Sequence, residues 1–302
     1  MAVEFQLYSW CQMKPDWLKV RFTVNDDFRD LRKIVGDNRL HTVCQSARCP
    51  NQSDCWQRRT ATLMILGNAC TRNCRFCAVE TGKPAPVDPD EPSKAGKAVN
   101  LMGLKYAVVT SVTRDDLPDG GAAVWAETIR EIRRQNPDCK VEVLIPDFRG
   151  DISALETVLN AEPDILGHNL ETVRSLYPLA RPQADYDRSL RIITESKKRG
   201  AVTKTGIMVG LGETCEQILE LMNDVLSAGC DILTIGQYLQ PTKDHLPVER
   251  YITPDEFEFY RQDGVRRGFR AVYSGPLVRS SFHAEEVQKS VSSSPAKEEI
   301  IP

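Results

Sequence analysis

From residue 60 onward, short apolar runs alternate with longer amphipathic stretches. Thr60–Leu66 (TATLMIL) is apolar and partly β-branched, which predicts a strand. Strands are likewise expected over Tyr106–Thr113, Lys140–Ile145, Asp164–His168, Thr203–Val209 and Ile232–Gln237, with Phe269–Tyr273 as a further one. Helical spacing predicts helices over Ala95–Leu104, Gly121–Gln135, Ile152–Asn160, Asp185–Arg199, Glu213–Ala228 and Pro254–Arg267. In the second of these, Val124, Trp125, Ile129 and Ile132 share one face. Gly200, Gly229 and Gly268 stand where helix stops belong.

Six strand–helix units in a row predict an α/β fold with a parallel sheet and helices outside it. Six is short of the eight of a closed barrel, so the expected fold is a partial (β/α)6 barrel of TIM type. A doubly wound sheet is the alternative, but no G-x-G-x-x-G or P-loop fingerprint follows the first strand. Either way the site lies at the C-terminal strand ends. Three regions follow: 1–59, an arm and a cysteine-rich loop without clear period; 60–275, the barrel; and 276–302, a C-terminal segment whose tail from Ser290 is polar and expected to be disordered.

The chain has 302 residues, a net charge of −3 and a hydrophobic fraction of 41%. That is ordinary globular composition and argues against a nucleic-acid binder that works by bulk positive charge. No apolar run is long enough to span a membrane, and MAVEFQLYSW has no secretory pattern, so a cytoplasmic protein is expected. The anomaly is ten cysteines. In a reducing compartment these read as metal or redox thiols rather than disulfides. Cys11, Cys139, Cys215 and Cys230 are scattered, but six others form two triads.

The second triad, Cys70-Thr-Arg-Asn-Cys74-Arg-Phe-Cys77, follows the first strand as C-x3-C-x2-C. A structural zinc would want a fourth, closing ligand from elsewhere. Three thiolates instead suit a [4Fe–4S] cluster with one iron left open. With Phe76 before the last cysteine, this spacing resembles the radical S-adenosylmethionine superfamily. The resemblance implies a partial (β/α)6 barrel, S-adenosylmethionine chelated at the open iron, and reductive cleavage to a 5′-deoxyadenosyl radical.

The first triad is Cys44-x4-Cys49-x5-Cys55, within VCQSARCPNQSDCW. Together with DDLPDGG (115–121), HNLETV (168–173), GQYLQP (236–241) and SGPLVRSSFHA (274–284), it resembles the lipoyl synthases from about Pro15 to Ala284. That resemblance implies a radical sulfurtransferase inserting sulfur at C6 and C8 of an octanoyl chain on a lysine of a lipoyl carrier domain. It implies two [4Fe–4S] clusters: one on Cys70, Cys74 and Cys77 that makes the radical, and an auxiliary one on Cys44, Cys49 and Cys55 that is consumed as sulfur source. It points to a serine of Arg279-Ser280-Ser281 as the fourth auxiliary ligand, Ser281 before Ser280. A low-potential electron donor of ferredoxin or flavodoxin type is also implied. Within this fold Phe76, Val79, Thr113, Glu142 and Asn169 are the expected S-adenosylmethionine contacts, the first two beside the triad and the other three on or just after a predicted strand. Lys14, Lys19, Arg58, Arg59, Arg72 and Arg75 suggest a basic docking face for the carrier. An iron–sulfur scaffold or electron carrier would share the clusters but not the cleavage. A biotin-synthase-like enzyme would need neither the first triad nor the serine segment.

Overall fold

The structure, a computed structural model, describes residues 14–20, 22–37 and 40–281. The predicted polar tail therefore lies outside the described residues, as does Cys11. Ten strands are described: β1 (His41–Thr42), β2 (Thr62–Ile65), β3 (Ala69–Cys70), β4 (Glu80–Thr81), β5 (Tyr106–Ser111), β6 (Lys140–Leu144), β7 (Ile165–Gly167), β8 (Thr203–Val209), β9 (Ile232–Gln237) and β10 (Ala271–Gly275). The helices are α1 (Asp26–Asp37), α2 (Val43–Ser46), α3 (Gln52–Gln57), α4 (Glu91–Met102), α5 (Ala122–Gln135), α6 (Ile152–Leu159), α7 (Tyr177–Ala180), α8 (Tyr186–Lys198), α9 (Cys215–Ser227) and α10 (Pro254–Arg267).

Among the described residues the main sheet has eight strands in the order β1-β2-β5-β6-β7-β8-β9-β10. Only β1 runs antiparallel, against β2. The others pair in parallel, each with its neighbour in sequence apart from the short β3 and β4. This is the partial barrel that the strand–helix alternation predicted, with β10 as a last strand after the sixth helix. Its strands read as continuous apolar runs because both faces are covered; all of β2 and β9 is buried. Trp125, Ile129 and Ile132 of α5 are fully buried on the outer face of the sheet. Helices α9 and α10 each begin with a capping box, Thr214 with Gln217 and Thr253 with Glu256.

Two expectations are corrected. Residues 44–59 are not simply a loop: they contain α2 and α3, and Trp56 of α3 is fully buried against Phe28. Residues 1–43 are not without period in their described part. Phe28, Leu31 and Val35 of α1 are buried on one helical face. That stripe is narrow and set among charges, so it is visible mainly through what it packs on. No helix of the described residues is long and apolar enough to cross a membrane.

Candidate active site

The Cys70–Cys77 loop leaves the C-terminal end of β2, where catalytic groups of such barrels stand. It is held as a shaped loop rather than a free one. The β3–β4 pair sets Cys70 opposite Thr81, and the amide of Gly82 donates to the Cys70 carbonyl (3.0 Å). The amides of Arg72 and Thr113 point at Cys70 Sγ (3.4 and 3.3 Å). Amide donors of this kind stabilise a negatively charged sulfur. Further along, the Arg75 amide donates to Ala180 (2.9 Å), and His245 Nε2 lies 2.9 Å from the Cys77 carbonyl.

Arg72 ties this loop to two neighbouring strand ends. Its Nε and Nη2 donate to both oxygens of Asp115 (2.7 and 2.9 Å), and Nη2 also reaches Asp147 Oδ1 (2.6 Å). Asp147, 0% exposed, takes Arg188 Nε on its other oxygen (2.7 Å). Burial alone would raise the Asp147 pKa, but hydrogen bonding and charge from Arg72 outweigh it and hold the carboxyl well below its ordinary range. This network was not predicted. Arg72 inside the triad spacing and Asp115 at the head of DDLPDGG were its signals.

Around the loop, the C-terminal ends of β5 and β7 carry buried polar atoms without a partner: Ser111 Oγ, His168 Nε2, Asn169 Oδ1 and, from the chain after α7, Arg181 Nε. Unpaired buried polar groups are costly and mark where a polar ligand belongs. Arg181 is anchored by Nη1 to the carbonyls of Asn169 and Leu170 (3.0 and 3.1 Å), and its charge acts on Cys74. Glu171 accepts from Asn169 Nδ2 (3.1 Å), and burial raises its pKa. These donors and acceptors suit a zwitterionic sulfonium cofactor bearing a ribose. Of the expected contacts, Thr113, Phe76, Val79 and Asn169 all stand by the loop or by this mouth. Thr113 offers its amide to Cys70 and its carbonyl to Thr71 (3.1 Å); Phe76 and Val79 flank Cys77, and the Val79 amide faces its thiol.

Glu142 is placed elsewhere. It pairs with Ile165, four residues and about 13 Å of extended chain before Asn169. There it is 2% exposed, bound to Lys204 Nζ (2.7 Å) and the Tyr106 hydroxyl (2.5 Å). Those partners occupy both carboxyl oxygens. Its position inside a short strand could not reveal that a lysine of β8 would face it.

The other triad lies on a separate scaffold. Cys44 is in α2, which Thr42 caps; Cys49 follows in a turn; Cys55 is in α3. With Asn51, Thr60, Ala61, Thr62, Arg279 and Ser281 they line a small pocket. Ser281 thus stands in the wall of this pocket, whereas Ser280 Oγ accepts from Asn169 Nδ2 (2.8 Å). Burial raises the thiol pKa values here and at Cys74, and pushes Cys77 up to about 12. Iron must therefore displace protons to load either triad. None of the nine described cysteines is in a disulfide. Among the described residues no three His, Cys, Asp or Glu side chains close on a single metal ion. A cubane takes one thiolate per iron, so its ligands stand wider apart than those of one zinc. Half-buried Arg279 lines this pocket, and its positive charge acts on the Cys49 thiol.

The basic docking face does not stand as expected. Lys19 pairs with Asp16, Arg58 with Asp54, Arg59 with Asp27 and Asp30, and Arg72 is buried on Asp115 and Asp147. Carboxylates one helical turn away, or across from α1, neutralise most of it.

The model of the radical SAM superfamily matches residues 64–225. Lipoyl synthase of Parabacteroides distasonis is 55% identical over 90% of this chain and 97% of its own. Lipoyl synthase of Chlorobaculum parvum is also 55% identical, over 90% of this chain and 94% of its own. This chain belongs to the lipoyl synthase family. As a radical SAM sulfurtransferase it carries a [4Fe–4S] cluster and S-adenosylmethionine. Solved structures repeat the fold at low identity. Methylornithine synthase superposes with a TM-score of 0.52 at 13% identity, covering 92% of this chain and 95% of its own. Streptococcus suis SuiB bound to S-adenosylmethionine gives 0.57 at 13% identity, over 70% of this chain and 49% of its own.

Proposed function

We propose that this lipoyl synthase inserts two sulfur atoms, at C6 and C8, into an octanoyl chain borne on a lysine of a lipoyl carrier domain. Cys70, Cys74 and Cys77 hold the radical-generating cluster; Cys44, Cys49, Cys55 and Ser281 hold a second [4Fe–4S] cluster that gives up the sulfur. Unactivated C–H bonds offer no acidic proton, so acid–base catalysis has no purchase on them. The cofactors supply the 5′-deoxyadenosyl radical and the sulfur, and the protein supplies binding and orientation.

The work of the chain's own residues follows from the geometry. The Arg72–Asp115–Asp147 network fixes the radical loop on the barrel. Asn169 and Arg181 offer a polar seat for S-adenosylmethionine beside it, and Phe76 and Val79 offer apolar surface. Ser281 presents a hard oxygen where the other three ligands are soft thiolates, a corner suited to a cluster that must be opened. A low-potential ferredoxin or flavodoxin supplies the electron. Abundant free thiols fit a reducing, cytoplasmic setting.

The observation that carries this reading is the serine in the wall of a three-cysteine pocket, one residue from a serine hydrogen-bonded at the mouth of the radical site. The test is anaerobic turnover of an octanoyl-lysyl peptide with dithionite as reductant, followed by mass spectrometry. The expected product gains two sulfurs as a dithiol with its hydrogen count unchanged, and loses two hydrogens only when that dithiol is afterwards oxidised to the ring disulfide. Formation of 5′-deoxyadenosine with the peptide left unsulfurated would reject the reading.

A further inference from the structure

After β10 the chain does not continue along the sheet but turns back across the barrel mouth towards the first triad. Three contacts fix its register. Asn51, buried between Cys49 and Cys55, donates from Nδ2 to the Leu277 carbonyl (2.7 Å). The Val278 carbonyl lies on Gly236 of β9, so near that a Cβ at Gly236 would stand 2.0 Å from it. Asn169 donates from Nδ2 to Ser280 Oγ (2.8 Å). One residue later, Ser281 lines the cysteine pocket. A slip of one position would bring Ser280 to the cysteine pocket in place of Ser281, and Arg279 to Asn169.

We propose that Gly236 and Asn51 are positioning residues for the auxiliary site: together they set the register of 277–281 that delivers Ser281, rather than Ser280, to Cys44, Cys49 and Cys55. The inference rests on the two-cluster reading above. Its physical content is steric and local. Any side chain at 236 must push a backbone carbonyl back by at least about 1 Å, and backbone cannot swing aside as a flexible side chain would. At Gly275, paired with Gly236 across the strands, an added Cβ would stand a tight 3.3 Å from the Val278 side chain, so both strands cradle the same residue. Asn51 acts from the other side. It belongs to the segment that carries the triad, so its bond to Leu277 locks the serine segment to the cysteines themselves rather than to the barrel. This gives a steric reason for the first glycine of GQYLQP.

The test uses full-length Gly236→Ala and Asn51→Leu, reconstituted anaerobically with iron and sulfide, beside Ser281→Ala and the parent. Mössbauer spectra report each cluster, and 5′-deoxyadenosine formation with dithionite reports the radical site. Hydrogen exchange of the iron-free proteins reports residues 277–281. Both variants are expected to keep the parent's radical-cluster spectrum and its cleavage rate. Their auxiliary spectrum should change as it does in Ser281→Ala, and the 277–281 amides should exchange roughly 10-fold faster. Should Gly236→Ala not fold, Asn51→Leu carries the same test without a clash in the barrel wall. An altered auxiliary spectrum in Ser281→Ala with parent spectra in Gly236→Ala and Asn51→Leu overturns this inference alone. A parent spectrum in Ser281→Ala itself rejects the ligand assignment, and the inference with it.

Discussion

The two cysteine triads hold chemically similar ligands on very different supports. The radical triad occupies eight consecutive residues between β2 and α4, braced by a two-strand ladder, by amides aimed at Cys70 and by a buried ion network on Arg72. The other triad is assembled from two short helices, the entry to β2 and a C-terminal segment more than two hundred residues away. A site made from one braced loop can keep its shape while its cluster cycles between oxidation states. A site whose fourth side comes from a separate segment can be opened without disturbing the barrel. The difference in construction matches the proposed difference in fate, one cluster retained and the other spent.

The largest effects should come from removing a triad outright. Changing Cys70, Cys74 and Cys77 to Ala is expected to remove about half the iron and abolish S-adenosylmethionine cleavage. Changing Cys44, Cys49 and Cys55 should also remove about half, but leave cleavage intact and abolish sulfur transfer. Iron assay and 5′-deoxyadenosine chromatography check both. Loss of all iron from one variant and none from the other would reduce two sites to one. Next in size is the serine. Ser281→Ala should lower sulfur insertion by ~10-fold or more, the usual cost of disturbing a metal's ligand shell. Ser281→Cys should hold the cluster at least as firmly and give sulfur more slowly. Full activity of Ser281→Ala with an inactive Ser280→Ala would move the ligand one residue back.

How much of this was readable beforehand also differs between the two regions. Strand and helix periodicity located β8, β9 and α10 to the residue and placed the radical triad at a strand end, because those signals are local. The scaffold of the first triad was not legible. Its helices α2 and α3 are only four and six residues long, too short for a period to show. The partners that matter there, Asn51 with Leu277 and Ser281 with the cysteines, are remote in sequence. For the same reason the Glu142–Lys204 pair and the Arg72–Asp147–Arg188 network came only with the fold. Alternation along one strand cannot say which charge a distant strand will present.

That network offers a way to weaken the braced loop without touching a ligand. Asp147→Asn leaves Arg72 and Arg188 short of a charge at a fully buried position. Breaking a buried ion pair from one side costs about 3 kcal/mol, visible in chemical denaturation. The sharper expectation is selective: cluster loading and cleavage at Cys70–Cys77 should fall, while the auxiliary spectrum stays as in the parent. Equal damage to both clusters would dissolve the contrast between a braced site and an assembled one. A smaller effect is expected from Asn169→Ala. Its Oδ1 is unpaired at the mouth of the barrel, and its loss should weaken S-adenosylmethionine binding by ~10-fold, about 1.4 kcal/mol. Unchanged affinity by equilibrium binding would remove Asn169 from the cofactor's contacts.

The smallest effect concerns charge around the two triads. Six cations cluster in sequence near them, but Lys19, Arg58, Arg59 and Arg72 are each matched by a carboxylate. A matched pair presents little net field, and what remains between exposed charges is screened at moderate salt. Long-range steering of an acidic carrier domain therefore has little to act through. With a whole octanoylated carrier domain as substrate, kcat/KM is expected to change less than ~3-fold between low and moderate ionic strength, clusters remaining intact by absorbance. A short octanoyl-lysyl peptide, which has no domain surface to steer, should show the same shallow dependence. A drop of ~10-fold or more with the domain but not with the peptide would mean that an unpaired basic surface guides docking, and Arg75, exposed between Cys74 and Cys77, would be the first residue to neutralise. If Arg75→Ala then flattened the salt dependence while Arg58→Ala did not, the carrier would be approaching over the braced triad rather than the assembled one.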